Sequence, residues 1–365
     1  MLGSVPLARR NLLSEPRRLL AAAGGVGMAL MLILLLDGLW AGIQANVTTY
    51  EDNVGADLYV AQPGTRNFFG AVSVIPEGTV DAVRADPDVE WAAAVRGFFS
   101  ITQLHDRKIP TYVIGSVPGE PGGPWQLRSG REARSDDEVV VGSVLAAQHD
   151  LEVGASLDVM GRRFTVVGTT TDAFMASFVF MTHAATDQLL RAPGTTSFVL
   201  AATENPDGVR SRLASAGLTV LDRDELARND LALMARAYEV PLAVMRGVAF
   251  AIGSLVVALT TYSAIVDRRR EYGIVKAMGA DGRRLLQVAV GQTVIVTAVG
   301  LVVGGVLFVL ARALINDLRP QFIILATPGN VARAIVAGTL MALIAAVIPA
   351  RRLAVLEPSA AYRGG

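Results

Sequence analysis

The 365-residue chain contains no cysteine. Disulfide bonds, thiolate metal sites and cysteine nucleophiles are therefore excluded together. Any domain of the chain that lies outside the cytoplasm must be stabilised by its own apolar core.

Lysine is almost as rare, since Lys108 and Lys276 are the only lysines among 33 basic residues. A loop that cradles nucleotide phosphates needs Gly-Lys followed by Ser or Thr. Ile109 and Ala277 follow the two lysines instead, so we expect the chain not to be its own ATPase. The 33 basic residues are balanced by 33 acidic residues, which gives no indication of nucleic-acid binding.

Histidine is scarce as well. His105, His149 and His183 stand at no spacing typical of metal ligands, so we expect no metal site. The sequence also offers no serine that can be paired with a nearby base. It therefore predicts no catalytic, cofactor-binding or metal-binding residues, and a protein that is not an enzyme.

Charged residues make up 18% of the chain, yet they are nearly absent from four long apolar windows. A bilayer core of about 30 Å requires about 20 apolar residues in helical form. We therefore predict four transmembrane helices, in residues 19–43, 242–266, 285–310 and 334–348. Asp37 is the one ionised residue that we identify in these windows, and near the end of the first span we expect it to reach lipid headgroups or a neighbouring helix.

Basic residues beside the spans indicate the orientation, because Arg and Lys are retained on the cytoplasmic side. They precede span one, separate spans two and three, and follow span four: Arg9, Arg10, Arg17, Arg18, Arg268, Arg269, Arg270, Lys276, Arg283, Arg284, Arg351, Arg352 and Arg363. We therefore predict that residues 1–18, the loop 267–284 and the tail 349–365 are cytoplasmic, and that the loop 311–333 lies outside. The localisation implied is a bacterial cytoplasmic (inner) membrane. A cleaved signal peptide is less favoured for span one, whose apolar run exceeds the 7–15 residues usual for such signals.

Between the first and second spans, residues 46–240 predict a large extracytoplasmic α+β domain, because strand-length apolar runs alternate with short helical stretches. The strand candidates are Ala56–Val60, Val95–Leu104, Thr111–Val117, Val139–Val141, Leu157–Met160, Phe164–Gly168, Phe178–Met181 and Phe198–Ala201. The helix candidates are Gly78–Arg84, Ser143–His149, Ala184–Leu190 and Pro206–Ala216.

Three connecting features of this domain are also predicted. Met160, Gly161, Arg162 and Arg163 indicate a tight hairpin turn. Pro118–Ser135 is rich in Gly, Pro and Arg, which favours a mobile loop. Residues 224–240 have helical periodicity and predict a stalk helix that enters span two with a kink at Pro241.

The segment DRRREYGIVKAMGADGRRL, Asp267–Leu285, lies between spans two and three. As a helix it would place Tyr272, Val275 and Met278 on one face, and Gly279 would end it. One interpretation is an interfacial helix that lies on anionic lipid. The other is a helix that docks with a cytoplasmic partner.

Two cytoplasmic segments carry a family resemblance. The first begins at Arg268 and has the form R-R-x-E-x-G-x-x-[KR]-A-x-G-A, and it includes Arg269, Arg270, Glu271, Gly273, Lys276, Ala277, Gly279 and Ala280. The second is similar to the form P-A-x-x-A-x-x-x-x-P and reads Pro349, Ala350, Arg351, Arg352, Leu353, Ala354, then Glu357 and Pro358, with Leu353 at the position of the second alanine. In these segments the chain resembles the FtsX/LolC/MacB-type permeases of ABC transporters. The opening PLARRNLLSEPRRLLAAAGG and Gly55–Leu58 are most similar in style to the DevC-type exporter permeases within this group.

The resemblance implies a permease subunit that exports or extracts an amphiphilic or peptide substrate by mechanical transmission. It implies ATPase-coupling roles for Arg269, Arg270, Glu271, Tyr272, Gly273, Val275, Lys276, Ala277, Met278, Gly279 and Ala280, and tail contacts for Arg351, Arg352, Glu357 and Pro358. The implied partners are an ABC ATPase that binds ATP and Mg²⁺, a second permease copy, membrane lipid, and a membrane-fusion or other extracytoplasmic protein. The alternative is a signalling subunit, in the style of the cell-division member, that activates an external cell-wall hydrolase. A receptor without an ATPase is less favoured because of the docking signature.

Two G-x-x-x-G pairs remain, Gly38 with Gly42 in span one and Gly300 with Gly304 in span three. Such pairs allow helices to approach closely, either within one chain or between two copies.

Overall fold

The computed structural model describes residues 16–70, 73–104, 107–171, 177–267, 282–319 and 322–355. Two compact units result: Met1–Gly42 with Glu239–Gly365, and Ile43–Tyr238. The helices in chain order are α1 (Pro16–Asn46), α2 (Thr49–Asn53), α3 (Thr79–Arg84), α4 (Ser143–Gln148), α5 (His183–Leu190), α6 (Pro206–Ser215), α7 (Arg223–Met234), α8 (Val240–Asp267), α9 (Gly282–Leu318) and α10 (Pro328–Val355). The strands are β1 (Leu58–Ala61), β2 (Ile75–Pro76), β3 (Val89–Leu104), β4 (Arg107–Ser116), β5 (Leu127–Gly130), β6 (Glu138–Gly142), β7 (Ser156–Val159), β8 (Arg162–Thr170), β9 (Ser177–Thr182), β10 (Thr195–Thr196), β11 (Phe198–Thr203) and β12 (Thr219–Asp222).

The first unit is a bundle of apolar helices. Four helical segments among the described residues are long and apolar enough to cross a membrane. They are α1, the run that continues from α7 into α8, α9, and α10. Small and branched side chains from all four pack in its interior, with Val26 and Leu30 of α1 against Val257, Val296 and Met341. Many leucine and valine side chains on the outside of α8, α9 and α10 are exposed, as lipid-facing surfaces require.

Helices α9 and α10 extend beyond the predicted spans. Span three is predicted to end at residue 310, but α9 continues to Leu318, and α10 begins at Pro328 before the predicted fourth span. The predicted loop 311–333 is therefore helical at both ends. The predicted spans end where charged residues appear, whereas Arg and Leu are both good helix formers and let a helix continue.

The second unit is an α+β domain built on one large mixed sheet. The strand order is β12-β1-β11-β3-β4-β9-β6-β8-β5, and β7 pairs with β3 and β8. Two apolar cores form along this sheet. One packs α3 and α6 on β1, β3 and β11 around Val83, Val199 and Val209, and the other packs α4 and α5 on β6, β8 and β9 around Leu145 and Phe164.

Two of the predicted connections can be compared with the structure. The predicted hairpin is confirmed: Val159 pairs with Arg162 across Met160 and Gly161, which both have positive φ. The prediction that the whole of Pro118–Ser135 is a loop is wrong. It contains β5, which pairs with β8, and Arg131 binds Glu138 by a salt bridge.

The predicted stalk is helical but irregular. Between α7 and α8 the residues Ala235–Glu239 form a π-helical turn. The irregularity lies directly before Pro241, which has no N–H to donate to the carbonyl of Ala237 and whose ring crowds that carbonyl. A wider turn therefore lies directly before Pro241, and the kink itself stays a prediction.

Candidate functional site

The predicted ATPase-coupling residues Arg269, Arg270, Glu271, Tyr272, Gly273, Val275, Lys276, Ala277, Met278, Gly279 and Ala280 lie outside the described residues. Of the predicted tail contacts, Arg351 and Arg352 belong to the last turns of α10, whereas Glu357 and Pro358 are outside the described residues. The coupling role of both segments therefore stays a prediction.

A charge cluster joins three helices of the membrane unit. Asp37 in α1 is only 2% exposed, and each of its carboxylate oxygens accepts a hydrogen bond from one arginine. Arg246 of α8 donates from Nη1 to Oδ1 at 2.6 Å, and Arg333 of α10 donates from Nε to Oδ2 at 3.0 Å. We call these three residues the membrane charge cluster.

Neighbouring polar groups fix the position of Arg333. Its Nη2 donates to Asn330 Oδ1 at 2.6 Å, and Asn330 Nδ2 donates to the carbonyl of Leu325 at 3.0 Å. Thr327 accepts from the Asn330 amide at 3.2 Å and caps the start of α10, where Pro328 occupies the first position. The guanidinium is therefore held by the first turn of its own helix as well as by Asp37.

The first glycine pair lets non-helical backbone approach α1. A Cβ on Gly42 would overlap the carbonyl of Ile323, and one on Gly38 would lie 2.7 Å from Ile324. The Leu325 amide donates to the carbonyl of Gly38 at 3.0 Å. This hydrogen bond gives both backbone groups a partner within the bundle.

The second glycine pair serves contact between helices of one chain. Gly300 lies against Val26, and a Cβ on Gly304 would lie 2.8 Å from the carbonyl of Gly27. Both pairs are therefore used within this chain, which is one of the two uses that the sequence allows.

The membrane charge cluster is only partly foreseen by the sequence. Asp37 reaches neighbouring helices, which is one of its two predicted alternatives. The prediction of the spans did not take account of Arg246, which lies inside the predicted second span. It assigned Arg333 to the loop 311–333. One acidic and two basic residues at similar depth in different spans are the signal that could have revealed the cluster.

The α+β domain holds a buried polar network that resembles a catalytic arrangement. His183 Nε2 lies 3.2 Å from Thr196 Oγ1, and His183 Nδ1 lies 3.8 Å from Asp187 Oδ2. Arg96 Nη2 lies 2.8 Å from the other carboxylate oxygen of Asp187, Oδ1. Burial, with Arg96 nearby, lowers the pKa of His183. Thr196 is 1% exposed and its hydroxyl also donates to the carbonyl of Val95, so no substrate reaches it. The network fastens β3 to α5 and is structural.

A second buried group in this domain consists of two acids, Glu51 of α2 and Asp230 of α7. Both are fully buried. Asp230 accepts from the amides of Phe68 at 2.9 Å and Phe69 at 3.3 Å. Neither carboxylate oxygen of Glu51 accepts a hydrogen bond from another described residue.

No group of three or more His, Asp or Glu within the described ranges could hold a metal ion. What the described geometry offers is a polar junction inside a membrane bundle and a well-packed α+β domain between the first two membrane helices. This arrangement is that of a multi-pass membrane protein with a large domain inserted after its first span.

Comparison with known proteins defines the class. The family described as the MacB-like periplasmic core domain matches residues 19–216, and that described as the FtsX-like permease C-terminal matches residues 243–358. The chain belongs to the FtsX/MacB-type permease family of ABC transporters, and it is a permease subunit of that type. Such a permease implies an ATPase partner. The nearness to DevC-type permeases stays a prediction.

Two relatives and one solved structure illustrate what the chain is similar to. A Mycobacterium tuberculosis protein named as an uncharacterized ABC transporter permease is 26% identical over 98% of this chain and 99% of its own length. The macrolide export ATP-binding/permease protein MacB of Agrobacterium fabrum is 32% identical over 26% of this chain and 15% of its own length. The periplasmic region of MacB from Actinobacillus actinomycetemcomitans, a solved structure, is 10% identical over 48% of this chain and 94% of that structure, with a TM-score of 0.38.

Proposed function

We propose that this permease couples ATP hydrolysis on a separate subunit to movement of its α+β domain, and thereby exports or extracts an amphiphilic or peptide substrate. The observation that carries the proposal is the position of the docking signature. Residues 269–280 directly follow the helix α8 in a chain that matches ABC transporter permeases from end to end. A partner's movement at this segment acts on the membrane helices without an intervening flexible domain.

The helical backbone supports transmission to the α+β domain. It continues from Arg223 through α7, the π-helical turn and α8 to Asp267. A helix transmits displacement along its axis because its hydrogen bonds are all internal. Force applied at residues 269–280 therefore has a continuous path towards α7.

The remaining partners and the orientation follow from the same proposal. ATP and Mg²⁺ bind to the partner ATPase, because the lysines of this chain do not occur in a Gly-Lys-Ser/Thr sequence. The basic flanks favour a cytoplasmic position for both termini and for the docking segment. A second permease copy completes the assembly, and an extracytoplasmic protein receives the substrate. Export is favoured over signalling by the similarity to a protein named for macrolide export.

The coupling role can be tested by reversing the charge of Glu271. If the segment docks into the ATPase, Glu271→Lys should lose a charge-assisted contact of about 2–5 kcal/mol. The variant should be inserted at normal abundance, yet it should neither co-purify with the ATPase subunit nor stimulate its ATP hydrolysis. Asp317→Lys is the matched control, since Asp317 is an exposed acid at the other end of α9.

Normal co-purification and normal ATPase stimulation in Glu271→Lys would reject the docking role and favour an interfacial helix on lipid. Substrate release then separates export from signalling. An intact complex that activates a cell-wall hydrolase and moves no amphiphile would support the signalling alternative.

A further inference from the structure

The membrane charge cluster carries more positive than negative charge. Asp37 contributes one negative charge, and Arg246 and Arg333 contribute two positive charges. Both oxygens of Asp37 are already occupied. One guanidinium charge is therefore left without a counter-ion among the described residues.

The cluster also has unused donors. Arg246 uses Nη1, and Arg333 uses Nε and Nη2. Arg246 Nε and Nη2 and Arg333 Nη1 have no acceptor in the described part of the chain. The Arg333 side chain is 58% exposed and that of Arg246 is 26% exposed, so an external acceptor can reach them.

The depth of the cluster indicates what that acceptor is. Asp37 lies 18 residues after Leu19, where the first candidate span begins, and Arg333 lies 18 residues before Arg351 near the end of α10. At a helical rise of 1.5 Å per residue both separations are about 27 Å. The hydrocarbon core is about 30 Å thick, so both helices place the cluster at a headgroup boundary.

This boundary faces the leaflet on the side of the α+β domain, because Asp37 lies near the end of α1 that leads into it. Exposed arginines are unfavourable beside hydrocarbon unless an anion neutralises them. A lipid phosphate is the anion present at this depth. Arg also binds phosphate oxygens through several parallel donors.

We propose that the Arg246–Arg333 side of the membrane charge cluster binds the headgroup phosphate of an anionic phospholipid in this leaflet. Asp37 holds the two guanidinium groups in place, and the surplus charge complements a headgroup of net charge −1. The inference depends only on membrane insertion of the four helices, so it can fail or succeed independently of ATP coupling.

Trp40 provides a local reporter, because it lies three residues after Asp37 on the same side of α1. The other tryptophans, Trp91 and Trp125, lie in the α+β domain and can be replaced by Phe. The full-length single-tryptophan protein is reconstituted with lipids brominated near the headgroup, either phosphatidylglycerol or phosphatidylcholine, and quenching of Trp40 gives their relative binding.

We expect phosphatidylglycerol to be preferred about fivefold, the effect of one basic residue at an anionic membrane surface. Arg333→Gln should abolish the preference. Arg333→Lys, which keeps the charge, should retain most of it. Arg319→Gln removes the same charge from an exposed position outside the cluster and should retain it fully. Each variant must give a monodisperse peak on size exclusion before it is scored.

Equal quenching by the two lipids in the parent protein would overturn the proposal. A preference that survives Arg333→Gln, or that Arg319→Gln reduces equally, would reveal general surface attraction instead of a site. Loss of the preference in excess inorganic phosphate would show a site for soluble phosphate and would also overturn the assignment to lipid.

Discussion

The two buried acids of the α+β domain, Glu51 and Asp230, lie where ionisation is most costly. Burial raises the pKa of Glu51 well above its usual value, and the negative charge of Asp230 raises it further. Burial also raises the pKa of Asp230 to about 6, although the amides of Phe68 and Phe69 oppose this shift. Both acids therefore hold protons in the folded protein at pH values where they would release them in the unfolded chain.

Replacing Glu51 by Gln should remove part of the pH dependence of stability. A raised folded pKa means that the stabilisation from the bound proton is complete below the unfolded pKa and is lost as pH rises through the folded pKa. Above the unfolded pKa, wild-type stability should fall relative to Glu51→Gln by up to about 1.4 kcal/mol per pH unit. Thermal unfolding midpoints between pH 5 and pH 8 measure the difference.

Glu152→Gln is the control for this measurement, because Glu152 is an exposed acid of the same domain. Its midpoint should follow the wild type at every pH. Parallel pH profiles for Glu51→Gln and wild type would contradict a buried, protonated Glu51.

The contacts of single residues were the hardest features to predict from the sequence. Asp37 could be singled out because an acid inside an apolar window is unusual. Its partner Arg246 lies 209 residues further along the chain, in another helix, so only the packing of α1 and α8 joins them. Glu51 gave no signal either, because its burial depends on how α2 meets α7.

Among the secondary-structure elements, the π-helical turn Ala235–Glu239 is the irregular one within the helical run from α7 to α8. Such turns depart from regular α-helical hydrogen bonding and often occur at functional positions. Pro241 accounts for it here, since a proline at this position cannot donate to Ala237. We expect any change in the shape of the run to occur at this turn, because such turns interrupt regular α-helical hydrogen bonding.

Pro241→Ala should let this turn adopt regular α-helical geometry, because the substitution restores the missing N–H. We expect an equal or higher thermal midpoint, since Pro is the poorest helix former and Ala the best. If the proposed coupling passes through this point, stimulation of the partner's ATP hydrolysis should decrease. Val240→Ala, one residue earlier, should leave the stimulation unchanged, and its thermal midpoint gives the effect of helix propensity alone. A more stable variant with full coupling would show that the turn only accommodates Pro241.

Elements with a strong local pattern could be predicted, and short ones could not. The long apolar windows gave all four membrane helices, and β3, β4, β9 and β11 were recognised from their apolar runs. The edge strand β5 was missed because Leu127–Gly130 is exposed throughout and lacks alternation. Strands β2 and β10, with two residues each, exist through their mutual pairing and leave no periodic signal.

At the scale of the whole molecule, the orientation in the membrane is the feature on which the proposed function depends. The position of the α+β domain between the first and second membrane helices follows from the chain order. Which side it occupies is predicted by the basic flanks. The absence of cysteine makes this directly testable, because any introduced cysteine is the sole reactive thiol.

Single cysteines at Glu204 and Asp317 should react with a membrane-impermeant maleimide in intact spheroplasts. Both residues are exposed, one in the α+β domain and the other near the end of α9. A cysteine at Arg269 should react only after the membrane is permeabilised, which also shows that the position is accessible. Labelling of Arg269→Cys in sealed spheroplasts, with Glu204→Cys unlabelled, would invert the topology. An ATPase in the cytoplasm could then not reach the docking segment, and the coupling proposal would fail with the orientation.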